Sequence, residues 1–323
     1  MDAAVALSGV SKTFGGVPAV DRLDLQIPRG SLCGVIGPNG AGKTTTIRMI
    51  MSILFPDSGQ VSVLGRASAL EAKDRIGYLP EERGVYRKMR VGAFLSYMAR
   101  LKGMSESEVP PAIPKMLDRV GLAGVESKRC EELSKGMLQK VQLIAAVMHR
   151  PDLLILDEPF SGLDPVSARS MREMILEEHA RGATILFSTH VMPHAEEICE
   201  HVVMIHRGRK MLDDSMAGIR RQYDVRTVRF EPIDASASVE RVRALPFVTK
   251  VQRAGDGYEV LLADRTDPAA AIQAITGVLP VARIEIARPR LEDVFVRIVG
   301  GAGEVLEDAV QAALKGQDAG AMA

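Results

Sequence analysis

Gly37-Pro38-Asn39-Gly40-Ala41-Gly42-Lys43-Thr44-Thr45 sets glycines, a lysine and hydroxyls at the spacing G-x-x-x-x-G-K-[ST]. Glycines let the backbone curl so that successive N–H groups face one concavity, and a helix starting there adds the partial positive charge of its N-terminus. This is chemistry for a triphosphate. Lys43 would reach the β- and γ-phosphates, and the Thr44 hydroxyl would supply an oxygen to Mg²⁺. An incidental glycine-rich turn would not need matching flanks. Both are present: the apolar, strand-like Leu32-Cys33-Gly34-Val35-Ile36 before the loop, and the helix-like Thr44-Thr45-Thr46-Ile47-Arg48-Met49-Ile50 at its end.

Further polar groups stand where strands are expected to end. Asp157-Glu158 follows the apolar run Leu153-Leu154-Ile155-Leu156, and ligands of open α/β sheets bind at the carboxyl ends of the strands. Asp157 would hold Mg²⁺ through water, and Glu158 would polarise an attacking water. His190 follows Thr184-Ile185-Leu186-Phe187 and Ser188-Thr189, so a neutral imidazole can meet a γ-phosphate or its nucleophilic water. In Glu132-Leu133-Ser134-Lys135-Gly136-Met137, Ser134 can cap the helix that follows, whose exposed N–H groups could also bind a phosphate.

Positioning these groups requires an α/β fold. Apolar strands alternate with helical patterns to about Asp213, which predicts a mostly parallel, covered sheet. A helical insertion is expected at about 83–150, with helices at Val91 to Leu101 and Gly136 to Met148, and with Pro110, Pro111 and Pro114 interrupting the connection between them. From Thr227 the rhythm becomes β-α-β-β-α-β, a small α+β, ferredoxin-like arrangement. Its strands are expected at Thr227-Pro232, Val248-Arg253, Tyr258-Leu262 and Val281-Ala287, and its helices at Ala237-Leu245 and Asp267-Val278. The expected division is a cassette at 1–225, a C-terminal α+β domain at 226–300 and an Ala/Gly-rich tail at 301–323 with a short helix at Glu304-Leu314.

Composition limits the function. The 323 residues exceed one ordinary domain, and 46% of them are hydrophobic, sufficient for a full core and a smaller one. Lys+Arg and Asp+Glu each total 41, so no net field draws the chain to nucleic acid, and none is expected as a partner. Cys33, Cys130 and Cys199 have neither metal-ligand nor redox spacing, which reads as reduced thiols. No run approaches the roughly 20 apolar residues that span a bilayer. The start, Met1-Asp2-Ala3-Ala4, has no basic leader.

Together Gly37 to Thr45, Leu133-Ser134-Lys135-Gly136, Leu153 to Glu158, Ser161-Gly162-Leu163-Asp164 and His190 resemble the ATP-binding subunit of an ABC transporter, over about Val5 to Asp213. The resemblance implies a P-loop ABC ATPase cassette with ATP and Mg²⁺ as ligands and a second ATP-binding subunit, with a homodimer favoured. Two cassettes would close head to tail, so that Ser134 and Gly136 touch the γ-phosphate held by the other. Asp164 would lie in the loop crossing the dimer seam, and Phe14 would be the aromatic on which adenine stacks. Leu133-Ser134-Lys135-Gly136-Met137 departs from the family's LSGGQ at its first glycine and final glutamine. Glu81 replaces the family's glutamine in Pro80-Glu81-Glu82-Arg83. A carboxylate oxygen can still ligate Mg²⁺, but Glu81 cannot donate as an amide does. It could instead belong to a solvated acidic turn in which Glu81 and Glu82 pair with Arg83 or Arg87.

The Glu-Glu-Arg-Gly element, the Ser-Lys-Gly-Met signature and Arg288-Pro289-Arg290-Leu291-Glu292-Asp293-Val294-Phe295 resemble ABC-2-type export ATPases of the sodium- and drug-efflux branches. That narrower likeness implies a multispan membrane permease, docked near Glu81 to Tyr86, and a peripheral position on the cytoplasmic face of the cell membrane. The C-terminal domain would stabilise the chain or support the dimer. Rival readings are a soluble ABC switch ATPase and a regulatory module that holds ATP without hydrolysing it. One cassette without sustained heptads disfavours the first, and Glu158 with His190 disfavours the second.

Overall fold

The computed structural model describes residues 2–82, 84–223, 227–263, 266–287 and 289–301. Arg83, Arg288 and the helix expected at Glu304-Leu314 lie outside the described residues. Two compact units form, one built mainly from residues up to Met216 and one of Ala217–Arg297.

The first unit begins with an antiparallel hairpin, β1 (Ala3–Phe14) and β2 (Val17–Pro28), turned at Gly15-Gly16. With β4 (Ser58–Val63) it forms a sheet of order β2-β1-β4. The expectation of a mostly parallel sheet from the N-terminus is corrected here. In β2, Leu23, Leu25 and Ile27 are buried between exposed neighbours, the period-two pattern of a strand with one wet face.

The second sheet of this unit is the one that carries the chemistry. It contains β3 (Leu32–Ile36), β5 (Ile76–Leu79), β6 (Leu153–Asp157), β7 (Thr184–Thr189), β8 (His201–His206) and β9 (Arg209–Ser215), in the order β5-β6-β7-β3-β8-β9. All its pairings are parallel except β8 with β9. Every residue of β3, β6 and β7 is buried, as in strands covered on both faces. Helices α1 (Lys43–Ile50), α5 (Pro165–Ala180) and α6 (Met192–Ile198) complete this stretch of chain, and α7 (Met216–Gln222) starts at its last residue and continues into the second unit.

The insertion contains α2 (Val91–Leu101), α3 (Val109–Arg119) and α4 (Lys135–Val147). The prolines expected to interrupt it lie inside α3, which corrects that reading. Pro110 and Pro111 occupy the first turn, where N–H groups have no intrahelical acceptor to lose. Pro114 removes one bond, and burial of Val109, Ile113 and Leu117 at four-residue spacing offsets it.

A polar knot below β5 has a measurable consequence. Lys102 Nζ donates to Lys73 O at 2.7 Å and Ile76 O at 2.8 Å. His149 Nε2 lies 3.3 Å from the same Ile76 carbonyl, so it must carry the proton, and buried Nδ1 has no partner among the described residues. Burial first, and Lys102 second, push the imidazole down to about 4 from 6.5; Arg181 adds to this and Asp74 opposes it. The unfolded chain therefore takes up a proton that the folded chain refuses. Stability should fall as pH drops from 6.5 toward 4, by at most about 1.4 kcal/mol per pH unit from this group. Urea unfolding across that range should show a shallower decline in His149→Gln; an unchanged pH slope would refute the assignment.

The second unit comprises β10 (Thr227–Pro232), α8 (Glu240–Arg243), β11 (Val248–Ala254), β12 (Gly257–Leu262), α9 (Pro268–Val278) and β13 (Val281–Ala287). They form one antiparallel sheet of order β11-β12-β10-β13, the ferredoxin-like arrangement. Phe230, Val260, Val242 and Ile275 are at its core. The helix expected at Ala237-Leu245 shrinks to the single turn α8, since Val239 and Val242 suffice to anchor it. Asp267 caps α9, accepting from Ala269 and Ala270. Helix α10 (Leu291–Gly301) follows, with Leu291 and Val294 buried.

Candidate functional site

The site arises at the carboxyl edge of the parallel sheet because three strands stop in register. Asp157 ends β6 opposite Ser188, and Ile36 ends β3 opposite Thr189. The residues that follow are Glu158, His190 and Gly37, so three turns distant in sequence emerge together. The Gly37–Gly42 loop is held tightly against β8: a Cβ on Gly37, where φ is 152°, would sit 2.1 Å from Ile205 O. No other residue fits that position. The loop delivers the chain into α1, whose N-cap Gly42 leaves the first-turn N–H groups without a side-chain acceptor.

Lys43 is buried, with Nζ donating to Gly37 O at 2.8 Å and Pro38 O at 3.2 Å. Its ammonium lies 3.6 Å from Glu158 Oε1. The same oxygen accepts from His190 Nδ1 at 2.9 Å. That bond to Glu158 raises the imidazole above its usual range, against the opposing effect of burial. Burial lowers Lys43, with Glu158 and Asp157 pulling the other way. Glu158 adopts a left-handed backbone, φ 51°, which is uncommon outside glycine.

Asp157 is 1% exposed and carries a carboxyl raised chiefly by burial. Its Oδ1 accepts from Ser188 Oγ at 2.5 Å and from Thr44 Oγ1 at 3.3 Å. Its Oδ2 is buried with no hydrogen-bond partner among the described residues. An orphaned carboxylate oxygen beside a threonine hydroxyl is an all-oxygen donor set, which fits a hard cation such as Mg²⁺. No cluster of three or more His, Cys, Asp or Glu able to hold a metal occurs among the described residues. Glu81 belongs to the same field: burial, then Asp157 and Glu158, raise its carboxyl. Its neighbour Glu82 pairs with Arg48 at 3.2 Å; of the two partners the alternative reading gave this acidic turn, Arg83 lies outside the described residues, and no ion pair to Arg87 occurs among the described residues.

The remaining expected residues form separate groups. Ser134 is the N-cap of α4 and accepts from Met137 N–H at 3.3 Å. Gly136 lies against the next loop, where an added Cβ would meet Ser167 Oγ at 3.2 Å and Asp164 Oδ2 at 3.6 Å. Asp164 itself caps α5, accepting from Ser167 N–H at 2.9 Å. No hydrogen bond or ion pair among the described residues joins Ser134, Gly136 or Asp164 to the Lys43 cluster. Phe14 is exposed at the end of β1, with Lys12 Nζ 5.7 Å from its ring centre. Asp57 holds that lysine at 2.6 Å.

Two residues of this region were not singled out from sequence. Ser188 joins Asp157 to Glu158, and Gln139 Nε2 donates to Pro159 O at 2.6 Å, just beyond Glu158. Ser188 was findable, standing two positions before His190 at a strand end.

The sequence is 38% identical over 300 residues to the ABC transporter ATP-binding protein YhaQ of Bacillus subtilis (strain 168), covering 93% of this chain and 100% of that one. The chain belongs to the ABC transporter ATP-binding proteins. As an ABC ATP-binding subunit it binds ATP and is the ATPase of a transporter. The family described as "ABC transporter" matches residues 20–161, and that described as "ATP-binding protein DrrA1-3-like, C-terminal domain" matches 215–299. The Nod factor export ATP-binding protein I of Rhizobium sp. (strain N33) is 33% identical over 301 residues, 92% of this ABC subunit and 97% of the relative. A solved ATP-binding subunit of an ABC transporter superposes with TM-score 0.64 at 33% identity, over 68% of this chain and 93% of that one.

Proposed function

We propose that this ABC subunit powers export through a separate multispan permease, seated on the cytoplasmic face of the membrane as a head-to-tail homodimer. The likeness to a Nod factor export ATP-binding protein supports the direction. No helix among the described residues is long and apolar enough to cross a membrane, and in this reading the permease supplies the path. The cassette would extend to about residue 225, with 226–300 supporting the dimer or stabilising the chain.

The observation carrying the catalytic reading is the convergence of Lys43, Asp157, Glu158 and His190 at the mouth of the Gly37–Thr45 loop. Gly37, Pro38, Asn39, Gly40, Ala41, Gly42, Thr44 and Thr45 would enclose the phosphates with their backbone, and Lys43 would exchange its loop carbonyls for phosphate oxygens. Phe14 offers a ring face to adenine. Ser134, Gly136 and Asp164, which share no hydrogen bond or ion pair with this cluster among the described residues, would complete the site of the opposite subunit. Thr44, Asp157 and Glu81 would hold Mg²⁺, which when bound offsets charge on the phosphate oxygens. Glu158 takes a proton from the attacking water, and His190 contacts the γ-phosphate and steadies Glu158 until closure. Closure drives transport only if ATP favours the closed pair over the open one.

The test is recovery of tagged Glu158→Gln chain from its native membranes with ATP and Mg²⁺ present. A stoichiometric multispan protein is expected. Ribosomes, repair factors or no membrane partner would overturn the transport reading and favour a soluble switch.

A further inference from the structure

Ser188 is fully buried, at 0% exposure, where β7 ends beside Asp157. Its hydroxyl makes two contacts in opposite senses. Oγ donates to Asp157 Oδ1 at 2.5 Å and accepts from the Glu158 N–H at 3.2 Å. A hydroxyl has one proton and two lone pairs, so this pairing uses its proton on the carboxylate and a lone pair on the amide. The Glu158 amide also reaches Ser188 O at 3.2 Å. One residue thus grips both acids of the site, and it grips them unequally. Asp157 Oδ1 is doubly engaged, by Ser188 and Thr44, whereas Oδ2 is buried and has no partner among the described residues. The Glu158 amide is held just where the backbone turns left-handed.

We infer that Ser188 is a positioning residue for the nucleotide reaction, engaging Asp157 Oδ1 so that Oδ2 is the oxygen left for the cation, and pinning the Glu158 backbone. This rests on the proposed role of Asp157 as a holder of Mg²⁺. Without the hydroxyl, Asp157 Oδ1 keeps only the longer Thr44 contact, and either oxygen can turn to the cation. Binding that depends on the cation then weakens, while contacts made by the loop and Lys43 are untouched. Hydrogen-bond partners that orient a metal-holding group typically matter by about 10- to 100-fold in metal affinity.

Equilibrium titration of the full chain with the non-hydrolysable analogue AMP-PNP, with Mg²⁺ or with EDTA, separates these effects. Ser188→Ala should weaken binding about tenfold with Mg²⁺ and less than about twofold with EDTA. In an Asp157→Asn background the same change should add no further Mg²⁺-specific loss, because coupled residues are not additive. Equal losses with Mg²⁺ and EDTA, or no loss, would overturn the inference and leave Ser188 a strand-end packing residue. Where Ser188→Ala fails to fold, Ser188→Cys keeps the volume with a weaker donor, and the same Mg²⁺-specific loss is required of it. Asp157→Asn alone reports on the underlying reading: an Asp157→Asn chain whose binding is equally Mg²⁺-dependent overturns the metal role itself, and Ser188's role with it.

Discussion

Glu158→Gln is expected to bind ATP as tightly as the parent chain and to release phosphate more slowly by about 10² to 10⁴, the range a positioned general base contributes. The replacement keeps shape and one oxygen but cannot take up the water's proton. Binding survives because the phosphate contacts come from the loop, the start of α1 and Lys43, which loses its charged neighbour Glu158 but keeps its donations to Gly37 O and Pro38 O. Steady-state phosphate release beside an equilibrium ATP titration reads both quantities. A second readout is independent of turnover. Glu158 is the principal cause of the raised His190, so the His190 titration followed by NMR should move to lower pH in the variant. Near-parental hydrolysis would remove Glu158 from the base role.

Lys43→Ala is expected to lose ATP affinity where Glu158→Gln does not. A hydrogen bond to a charged group is worth about 1.5–3 kcal/mol, or roughly 10- to 150-fold in binding. The ammonium is already desolvated, held by the carbonyls of Gly37 and Pro38 and lying 3.6 Å from Glu158. It therefore gains phosphate contacts without first being stripped of bulk water. Removing it also leaves two loop carbonyls without their donor. Circular dichroism and the melting temperature establish that the fold persists, and the ATP titration then reads the loss. Unaltered affinity in a folded variant would refute the phosphate role of Lys43.

Much of this was legible because it is local. The loop at Gly37–Thr45 acts through consecutive N–H groups and the helix they enter, so its chemistry lies in nine adjacent residues. Strands β3, β6 and β7 are apolar throughout because both faces are covered, which marked Asp157, Glu158 and His190 as strand-end residues. The β-α-β-β-α-β rhythm likewise recorded the order of the second unit. Reading failed where context overrides local preference. Pro110, Pro111 and Pro114 sit in a helix whose buried stripe outweighs one missing bond. The long strands β1 and β2 pair with each other instead of joining the parallel sheet.

By itself, then, the sequence determined which groups could meet a triphosphate and which strands would carry them, since each depends on neighbours along the chain. The tertiary structure decided what no spacing encodes. Sheet order sets β7 between β3 and β6, so Ser188 faces Asp157 and reaches the Glu158 amide. Close approach of Ile205 O is what reserves position 37 for glycine. Burial leaves Asp157 Oδ2 without a partner, and Glu82 turns to Arg48, which is 34 residues away in sequence. These are contacts between segments remote in sequence, fixed by how the covered sheet packs, and a hydrogen bond or a steric limit exists only once both partners are in place.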